Sequence, residues 1–284
     1  MTKLSFSTNA FVRYSIEEAV AHIADSGYSG VELLADVPHL YPSNVTDSGL
    51  AAIQSSLRER NLRVVNINAN TAVGYYQAKF WEPLFEPSLA NPDKEKRKWR
   101  VEYTKRCIDI ARFFSCPNVS ITSGRMVPGV RPGKSLEYLK ESLAEVLGYA
   151  AEKNVRIGME YEPGLLVECF DELRDLIRYM DSEFFGANLD LGHSHVLGED
   201  PKEVIEGLAS RIFHVHIEDI RCRKHYHLIP GEGDVDFREL FRLLDATGYD
   251  GFASVELYTY SEDPINAAKK AFDFLNPLIS RQDQ

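Results

Sequence analysis

Phe185-Gly186-Ala187-Asn188-Leu189-Asp190 is a largely apolar run that ends in a carboxylate, and the second half of the chain has three more apolar runs, two that end in a carboxylate and one that ends in a histidine. The other runs are Val155 to Glu160, Phe213 to His216, and Ala253 to Glu256. Short apolar runs are typical of parallel strands that are buried on both faces. Polar residues at the carboxyl ends of several such strands indicate one shared site at one edge of the sheet.

Strand-like and helix-like segments alternate along the whole chain. We predict eight strands, at residues 3–8, 30–34, 63–68, 118–122, 155–160, 185–190, 212–218 and 251–257, with helices between them. Such alternation implies parallel strands joined by right-handed crossovers, and eight units allow the sheet to close into a (β/α)8 TIM barrel. An open doubly wound sheet is the rival fold. The barrel is favoured because no Gly-x-Gly-x-x-Gly follows the first strand and polar residues recur at many strand ends.

Length and composition predict a single domain, residues 1–284, within the usual size of one TIM barrel. The net charge of −11 disfavours nucleic acid as a partner, because general affinity for phosphates needs an excess of Lys and Arg. The chain shows no apolar run of membrane length, no secretory leader and no Cys-x-x-Cys spacing. We therefore expect a cytoplasmic protein with reduced cysteines that does not bind membranes.

One long irregular connection interrupts the alternation, at residues 71–98. It carries several aromatic residues and then a run of charges. Because it follows the third strand, we expect it at the catalytic end of the barrel, where long loops serve as lids or pocket walls. A contact between subunits of a homo-oligomer is the alternative.

Histidines and acidic residues are concentrated around the later strand ends. Six of the eight histidines fall between positions 193 and 227. Glu160, Asp190, His216 and Glu256 end four successive strands, so a barrel would bring them to one mouth. Their oxygen and nitrogen donors suit one divalent metal ion, with Mn²⁺ preferred and Mg²⁺, Zn²⁺ or Co²⁺ as alternatives. A single carboxylate would more often be a helix cap or an ion-pair partner. Four such polar residues at the ends of four successive strands are not explained in that way.

At these positions the chain resembles the xylose isomerase-like TIM barrels, a superfamily of sugar and sugar-phosphate isomerases and epimerases, dehydroshikimate and inosose dehydratases, and endonuclease IV. The resemblance covers nearly the whole chain. Its most specific segments are Asn188 to His193, Phe213 to Asp219, His227 with Pro230 to Phe237, and Gly248 to Phe252 before Glu256. By this resemblance Glu160, Asp190, His216 and Glu256 bind one divalent metal ion, and His193 faces the substrate.

The resemblance also implies a mechanism. Epimerases of this superfamily use two glutamates that both bind the metal and move protons, and the pair here would be Glu160 and Glu256. The metal would polarise a ketone and its neighbouring hydroxyl, while a carboxylate on either face removes or returns a proton through an enediolate. Glu162 is a second acidic candidate at the same strand end. Comparison with the family's strand end favours Glu160 as the ligand and leaves Glu162 beside the substrate.

We therefore predict a metal-dependent sugar or sugar-phosphate isomerase or epimerase that acts on a small carbohydrate or polyhydroxy carbonyl compound. Four residues are candidates for contact with the substrate: Glu162, His227, Arg221 and Trp81. A dehydratase is the runner-up, because it begins with the same proton abstraction and then needs only a positioned acid. The candidates for that acid are His193, His195 and His227.

Two further alternatives stay open. The endonuclease branch of the superfamily holds additional metals through extra histidines, and His193, His225 and His227 could hold a second ion here. The third and fourth strands argue against a site with three metal ions. They read Asn66-Ile67-Asn68 and Ser120-Ile121-Thr122 at the positions where that branch supplies two more histidines. The acidic balance also disfavours DNA as the substrate. A non-catalytic binding barrel is a different class of protein, and the complete set of four ligands argues against it.

Overall fold

The computed structural model describes residues 1–76 and 84–280 of the chain. Trp81 and the middle of the predicted lid or contact loop therefore lie outside the described residues. The strands are, in chain order, β1 (Lys3–Ser7), β2 (Gly30–Leu34), β3 (Arg63–Asn68), β4 (Asn118–Thr122), β5 (Arg156–Glu160), β6 (Phe185–Asp190), β7 (Ile212–Ile217), β8 (Asp219–Arg221), β9 (Lys224–Leu228) and β10 (Phe252–Val255).

Eight of these strands form a closed parallel barrel in the order β1-β10-β7-β6-β5-β4-β3-β2, with β2 paired back to β1. This architecture confirms the predicted TIM barrel and excludes the open doubly wound sheet. The helices between the strands are α1 (Ile16–Asp25), α2 (Asp47–Glu59), α3 (Val73–Tyr76), α4 (Lys94–Phe113), α5 (Pro132–Lys153), α6 (Phe170–Met180), α7 (Leu191–Leu197), α8 (Pro201–Leu208), α9 (Phe237–Ala246) and α10 (Pro264–Ser280).

Local sequence explains where the helices begin. Ser15 and Glu18 form a capping box at the start of α1, in which each side chain accepts from the other residue's backbone N–H. Asp93 caps α4 in the same manner, by accepting from two backbone N–H groups of the first turn. The apolar faces of the helices then pack on the barrel strands, and this layer forms the main hydrophobic core.

The interior of the barrel near its mouth is polar. Side chains that point inward from β2, β3, β7 and β10 are buried there, and they include Glu32, Asn66, Asn68, His216 and Ser254. Inside a protein such groups are stable only when each finds a hydrogen-bond partner or an ion. The candidate site is therefore expected among these buried polar side chains.

A short hairpin, β8 with β9, lies between β7 and α9 and was not predicted. The buried carboxylate of Asp219 holds the base of this hairpin in place. Asp219 accepts hydrogen bonds from the backbone N–H groups of Gly231, Gly233 and Val235, at 2.8, 2.7 and 3.1 Å. A Cβ at Gly233 would lie 2.2 Å from Oδ1 of Asp219, so only glycine permits this approach. The segment from Pro230 to Val235 thereby fixes the hairpin over the barrel mouth.

The loop that follows β3 is also anchored. Arg100 of α4 is almost fully buried, and its guanidinium donates to the carbonyl oxygens of Ala69, Asn70 and Thr71. These contacts hold the backbone of Asn70 at the barrel mouth. Within the described residues no helix is both long and apolar enough to cross a membrane, and all four cysteines are unpaired.

Candidate active site

The four residues predicted as metal ligands meet at the barrel mouth. Glu160 and Asp190 are the last residues of β5 and β6, His216 is the penultimate residue of β7, and Glu256 directly follows β10. One ligand atom from each lies within 4.8 Å of the others, and all four side chains are buried. Nδ1 of His216 is 3.1 Å from Oε2 of Glu160 and 3.7 Å from Oε1 of Glu256. Their assignment as metal ligands stays a prediction.

Asparagine side chains fix the orientation of both glutamates. Oε2 of Glu160 accepts from the amides of Asn70 and Asn188, while Oε1 of Glu256 accepts from Asn9 at 2.8 Å and Asn68 at 3.1 Å. Each glutamate thus has one oxygen held by two amide donors. The second oxygen of each lies near a histidine: Oε1 of Glu160 is 3.7 Å from Nδ1 of His193, and Oε2 of Glu256 is 3.8 Å from Nδ1 of His227. The sequence did not predict this role for any asparagine.

The carboxylate of Asp190 has one oxygen that is bonded to the backbone and one that is not. Its Oδ1 accepts from the backbone N–H of His193 at 2.8 Å and caps α7. Its Oδ2 is buried and has no hydrogen-bond partner among the described residues. Burial opposes the charge on this carboxylate, but the imidazoles of His193, His227 and His216 offset that effect and lower the pKa of Asp190 to about 2. This oxygen can be satisfied by a cation or by a proton from Glu218, which directly follows β7 and whose pKa is raised well above its usual range by burial and by the charge of Asp190.

Glu32 of β2 is a site residue that the sequence analysis missed. It is completely buried, and its Oε2 lies 2.6 Å from Nε2 of His216 and 2.8 Å from the amide of Asn66. Burial alone would raise the pKa of Glu32, but the nearby imidazoles of His216 and His214 lower it well below its usual range. Because Nε2 of His216 donates to Glu32, its Nδ1 is the nitrogen that faces the other carboxylates. A carboxylate placed in this way typically fixes the tautomer of a metal-binding histidine.

The electrostatics of this site suit proton transfer. Burial raises the pKa of Glu256 to about 8, and Glu160 adds to this while His216 opposes it. Burial likewise raises the pKa of Glu162 to about 7. Glutamates with pKa values near neutrality can both accept and return protons under ordinary conditions.

His193 lies beside the four-residue cluster, as the resemblance implied. Its Nδ1 is 3.0 Å from the carbonyl oxygen of Tyr161 and 3.7 Å from Oε1 of Glu160. Burial opposes its charged form, but Asp190 and Glu160 outweigh burial and raise the pKa of His193 to about 8. Glu162 also lies within this group, since one of its oxygens is within 4.8 Å of ligand atoms of Glu160 and His193.

The other predicted substrate contacts have different positions. His227 is buried, and its ring packs on Tyr258 with a centroid separation of 4.6 Å at the edge of the site. Arg221 is exposed, and its guanidinium donates to the carbonyl oxygen of Glu232 in the same loop. The described contacts do not join Arg221 to the carboxylate cluster, and its role stays a prediction. Trp81 lies outside the described residues.

Comparisons with known proteins agree with this picture. A family model described as xylose isomerase-like TIM barrel matches residues 20–278. Fructoselysine 3-epimerase of Shigella flexneri is 24% identical over 99% of this chain and 100% of that protein. Inosose dehydratase of Clostridium perfringens is 30% identical over 89% of this chain and 84% of that protein. A solved structure described as IOLI protein with a binding zinc atom superposes with a TM-score of 0.80 at 17% identity, over 99% of both chains. The resemblance stated from the sequence is thereby confirmed.

Proposed function

Because the chain belongs to the xylose isomerase-like TIM barrel family, we propose that it is a divalent-metal-dependent enzyme that epimerises or isomerises a sugar or sugar phosphate. One observation carries the proposal. Glu160 and Glu256 meet at Nδ1 of His216, and each has one oxygen held by amides and one that makes no hydrogen bond within the part of the chain that the structure describes. Two fixed carboxylates around one position are what proton removal and return at a sugar carbon require.

The donor set fits a divalent metal ion. Glu160, Asp190, His216 and Glu256 would hold it, and Oδ2 of Asp190 has no hydrogen bond among the described residues that would compete with the ion. Three carboxylates and one imidazole favour a hard or borderline ion, and we propose Mn²⁺ as the physiological one. A bound divalent ion would act as a Lewis acid on a ketone oxygen and a neighbouring hydroxyl oxygen of the substrate.

The protein's own residues supply the proton steps. One of the two glutamates takes the proton from the carbon next to the carbonyl, and the other returns a proton on the opposite face, so the configuration at that carbon inverts. The amides of Asn68 and Asn70 prevent the carboxylates from rotating away between these steps.

Three residues around the cluster would orient a polyhydroxy substrate. Glu162 and His193 lie next to Glu160, while His227 lines the site beside Tyr258. Carboxylate and imidazole groups can each accept or donate hydrogen bonds to sugar hydroxyls. Similarity to fructoselysine 3-epimerase over the full length of both chains supports a ketose or a ketose derivative as the substrate.

A dehydratase is the second candidate, and two observations favour it. Inosose dehydratase is 30% identical to this chain over most of its length. His193 lies beside Glu160, and its imidazole could donate a proton to a departing hydroxyl group. Both candidates share the first step, which removes a proton next to a carbonyl.

A screen in deuterated water separates them. The protein, loaded with Mn²⁺, is incubated with ketoses, ketose phosphates, fructoselysine, inosose and dehydroshikimate, and the substrate is followed by NMR. Deuterium at one carbon together with an epimeric or isomeric sugar supports the proposal. Loss of water from the substrate supports the dehydratase. The metal-free protein is the control. Absence of exchange and turnover with every compound would contradict both candidates.

A further inference from the structure

A cavity of about 250 Å³ lies at the end of the barrel opposite the candidate active site, and we refer to it as the lower cavity. Lys3, Arg63 and Arg156 line it, and they are the first residues of β1, β3 and β5. Parallel strands of a closed barrel all begin at the same end, so first residues of different strands come together there. Glu160 ends the strand that Arg156 begins, which places about 13 Å of strand between the lower cavity and the carboxylate cluster.

Aromatic rings position two of these three cations. The guanidinium of Arg156 lies over the ring of Phe213, 4.7 Å from its centroid, and the ammonium of Lys3 lies over the ring of Phe252 at 5.6 Å. The chain makes room for the first ring, because a Cβ at Gly186 would lie 2.8 Å from the side chain of Phe213. Stacking on an aromatic face attracts a cation and restricts its motion. Both charges are therefore held at the floor of the barrel.

A hydrogen bond fixes the orientation of the Arg156 side chain. Its Nε donates to Oδ1 of Asn118 at 2.9 Å, and the amide of Asn118 donates to the carbonyl oxygens of Val65 and Phe213 at 3.3 and 3.0 Å. Asn118 is buried, so this network belongs to the barrel itself. The two terminal nitrogens of Arg156 make no hydrogen bond with the described residues. A guanidinium fixed through Nε and through one face thus keeps its terminal donors available to a ligand.

The chain does not neutralise the positive charge around the lower cavity. Within residues 1–76 and 84–280 none of the three cations forms a salt bridge, and the guanidinium of Arg63 makes no hydrogen bond either. Among the described residues that line the cavity, Asp250 is the one acidic residue, and it is exposed. Burial lowers the pKa of Arg156, so its surroundings disfavour its charge. This concentration of positive charge occurs in a chain whose net charge is −11.

We propose that the lower cavity binds a phosphate dianion, either free or as the ester of a small molecule. Three cations against one carboxylate leave an excess of two positive charges, which a dianion balances. Guanidinium groups suit phosphate, because two of their N–H donors can bond to two phosphate oxygens in parallel. The cavity volume corresponds to roughly eight water molecules of about 30 Å³ each, which is enough for a phosphate group and a few attached atoms.

The expected consequence of binding is a more stable barrel. Without an anion the three cations repel one another, whereas a bound phosphate would connect the beginnings of β1, β3 and β5 and offset that repulsion. This site is independent of the proposed function, because none of the four predicted metal ligands lines the lower cavity. Its binding can therefore be measured in metal-free protein.

Titration of metal-free protein with inorganic phosphate tests the proposal, with chloride used to hold the ionic strength constant. Arg63→Gln and Arg156→Gln each remove one cation. Arg242→Gln is the matched control, because Arg242 is an exposed arginine of α9 that pairs with Glu239 and does not line the cavity. By calorimetry we expect one phosphate per chain in the wild type and in the control. The affinity should be at least about 10-fold lower in the other two variants, since each loses charge-assisted hydrogen bonds.

Thermal unfolding separates an anion site from a structural role of the same arginine. In chloride alone, Arg63→Gln should have a Tm equal to or above that of the wild type, because the substitution removes repulsion and breaks no contact among the described residues. Phosphate should then raise the Tm of the wild type more than that of the variant. A lower Tm in chloride together with unchanged phosphate affinity would overturn the proposal. If Arg156→Gln does not fold because Asn118 loses its partner, Arg63→Gln decides the test alone.

Glycerol 2-phosphate, tested in parallel with inorganic phosphate, distinguishes the two sources of the dianion. Tighter binding of the ester supports a phosphorylated small molecule as the ligand, and tighter binding of inorganic phosphate supports the free ion. Absence of saturable binding of both compounds up to about 10 mM would overturn the proposal. Equal affinity in the wild type, Arg63→Gln and Arg156→Gln would also overturn it, because the anion would then bind elsewhere.

A titration of the same proteins with Mn²⁺ keeps this result apart from the proposed function. We expect Arg63→Gln to bind Mn²⁺ as the wild type does. Failure of every protein to bind Mn²⁺ would contradict the proposed function, while phosphate binding that depends on Arg63 and Arg156 would still support the anion site.

Discussion

Replacing Glu32 with glutamine should weaken metal binding although Glu32 is not itself a predicted ligand. The carboxylate of Glu32 accepts from Nε2 of His216 at 2.6 Å, from the amide of Asn66 at 2.8 Å and from the amide of Asn68 at 3.0 Å. A glutamine amide offers only one oxygen to these three donors. If that oxygen faces His216 and Asn66, the glutamine NH₂ group faces the NH₂ group of Asn68.

Asn68 cannot turn over to relieve this contact. Its NH₂ group also donates to Oε1 of Glu256 at 3.1 Å, and its Oδ1 accepts from the backbone N–H of Asn70 at 3.2 Å. Flipping the amide would place an oxygen against the carboxylate of Glu256. One buried donor is therefore left without an acceptor, which costs about 1–3 kcal/mol of folding stability.

The loss of the negative charge on Glu32 acts on the metal through His216. Removing an outer carboxylate that orients a metal-binding histidine typically lowers metal affinity by about 10- to 100-fold, equivalent to about 1.4–2.7 kcal/mol. Isothermal titration of metal-free Glu32→Gln with Mn²⁺ measures this loss. Glu86→Gln is the matched control, since Glu86 is also buried but bonds to Ser88 and Asn91 away from the cluster. We expect it to lose stability while it keeps Mn²⁺ affinity. Wild-type Mn²⁺ affinity in folded Glu32→Gln would refute the reasoning.

Three other predictions follow from the same site. Asp190→Ala and His216→Ala should each lose the Mn²⁺ that survives dialysis in the wild type, because each leaves three donors; unchanged metal content in both would reject the ligand set. Glu160→Gln should abolish activity and weaken metal binding more than Glu162→Gln, and the opposite ranking in paired assays would transfer the role to Glu162. In metal-free protein the pKa of Glu256 is raised to about 8. The folding stability that comes from its bound proton is therefore fully present below its usual pKa of 4.5 and is lost as pH rises through about 8. Mn²⁺ requires the ionised form of Glu256. The rise in Tm that Mn²⁺ produces should therefore be larger near pH 9 than near pH 6, and an equal rise at both pH values would contradict this.

The barrel strands could be predicted because each is a short apolar run buried on both faces. The predicted ends of these strands differ from the observed ends by at most two residues. The four predicted ligands come together because parallel strands of a closed barrel end at the same mouth. Helix α7 and the β8–β9 hairpin were missed. Both are short, and their residues read as polar loop, while the hairpin turn uses Cys222 and Arg223 instead of the usual asparagine and glycine.

Glu32 and the asparagines could not be assigned from sequence for a different reason. Glu32 lies in an apolar strand, and the residues around it do not determine whether its side chain points to the barrel interior or to the helices. The register between β2 and β3 decides this, because a shift between Val31 and Glu32 places Glu32 opposite Asn66. The network of Glu32, Asn66, Asn68 and His216 is therefore a property of the closed barrel. It could have been suspected only from the alternation of Asn66 and Asn68 along one face of β3, which Asn70 continues just after the strand.

Solvent proton exchange at the substrate carbon in Glu256→Gln tests the central claim most directly. With a substrate identified by the screen and Mn²⁺ bound, we expect the variant to lose at least about 100-fold in exchange rate relative to the wild type, beyond any loss of metal. His193→Ala should instead keep the metal ion, as measured by metal content, and impair turnover. Full exchange in metal-loaded Glu256→Gln, together with loss of the metal ion in His193→Ala, would contradict the mechanism based on Glu160 and Glu256.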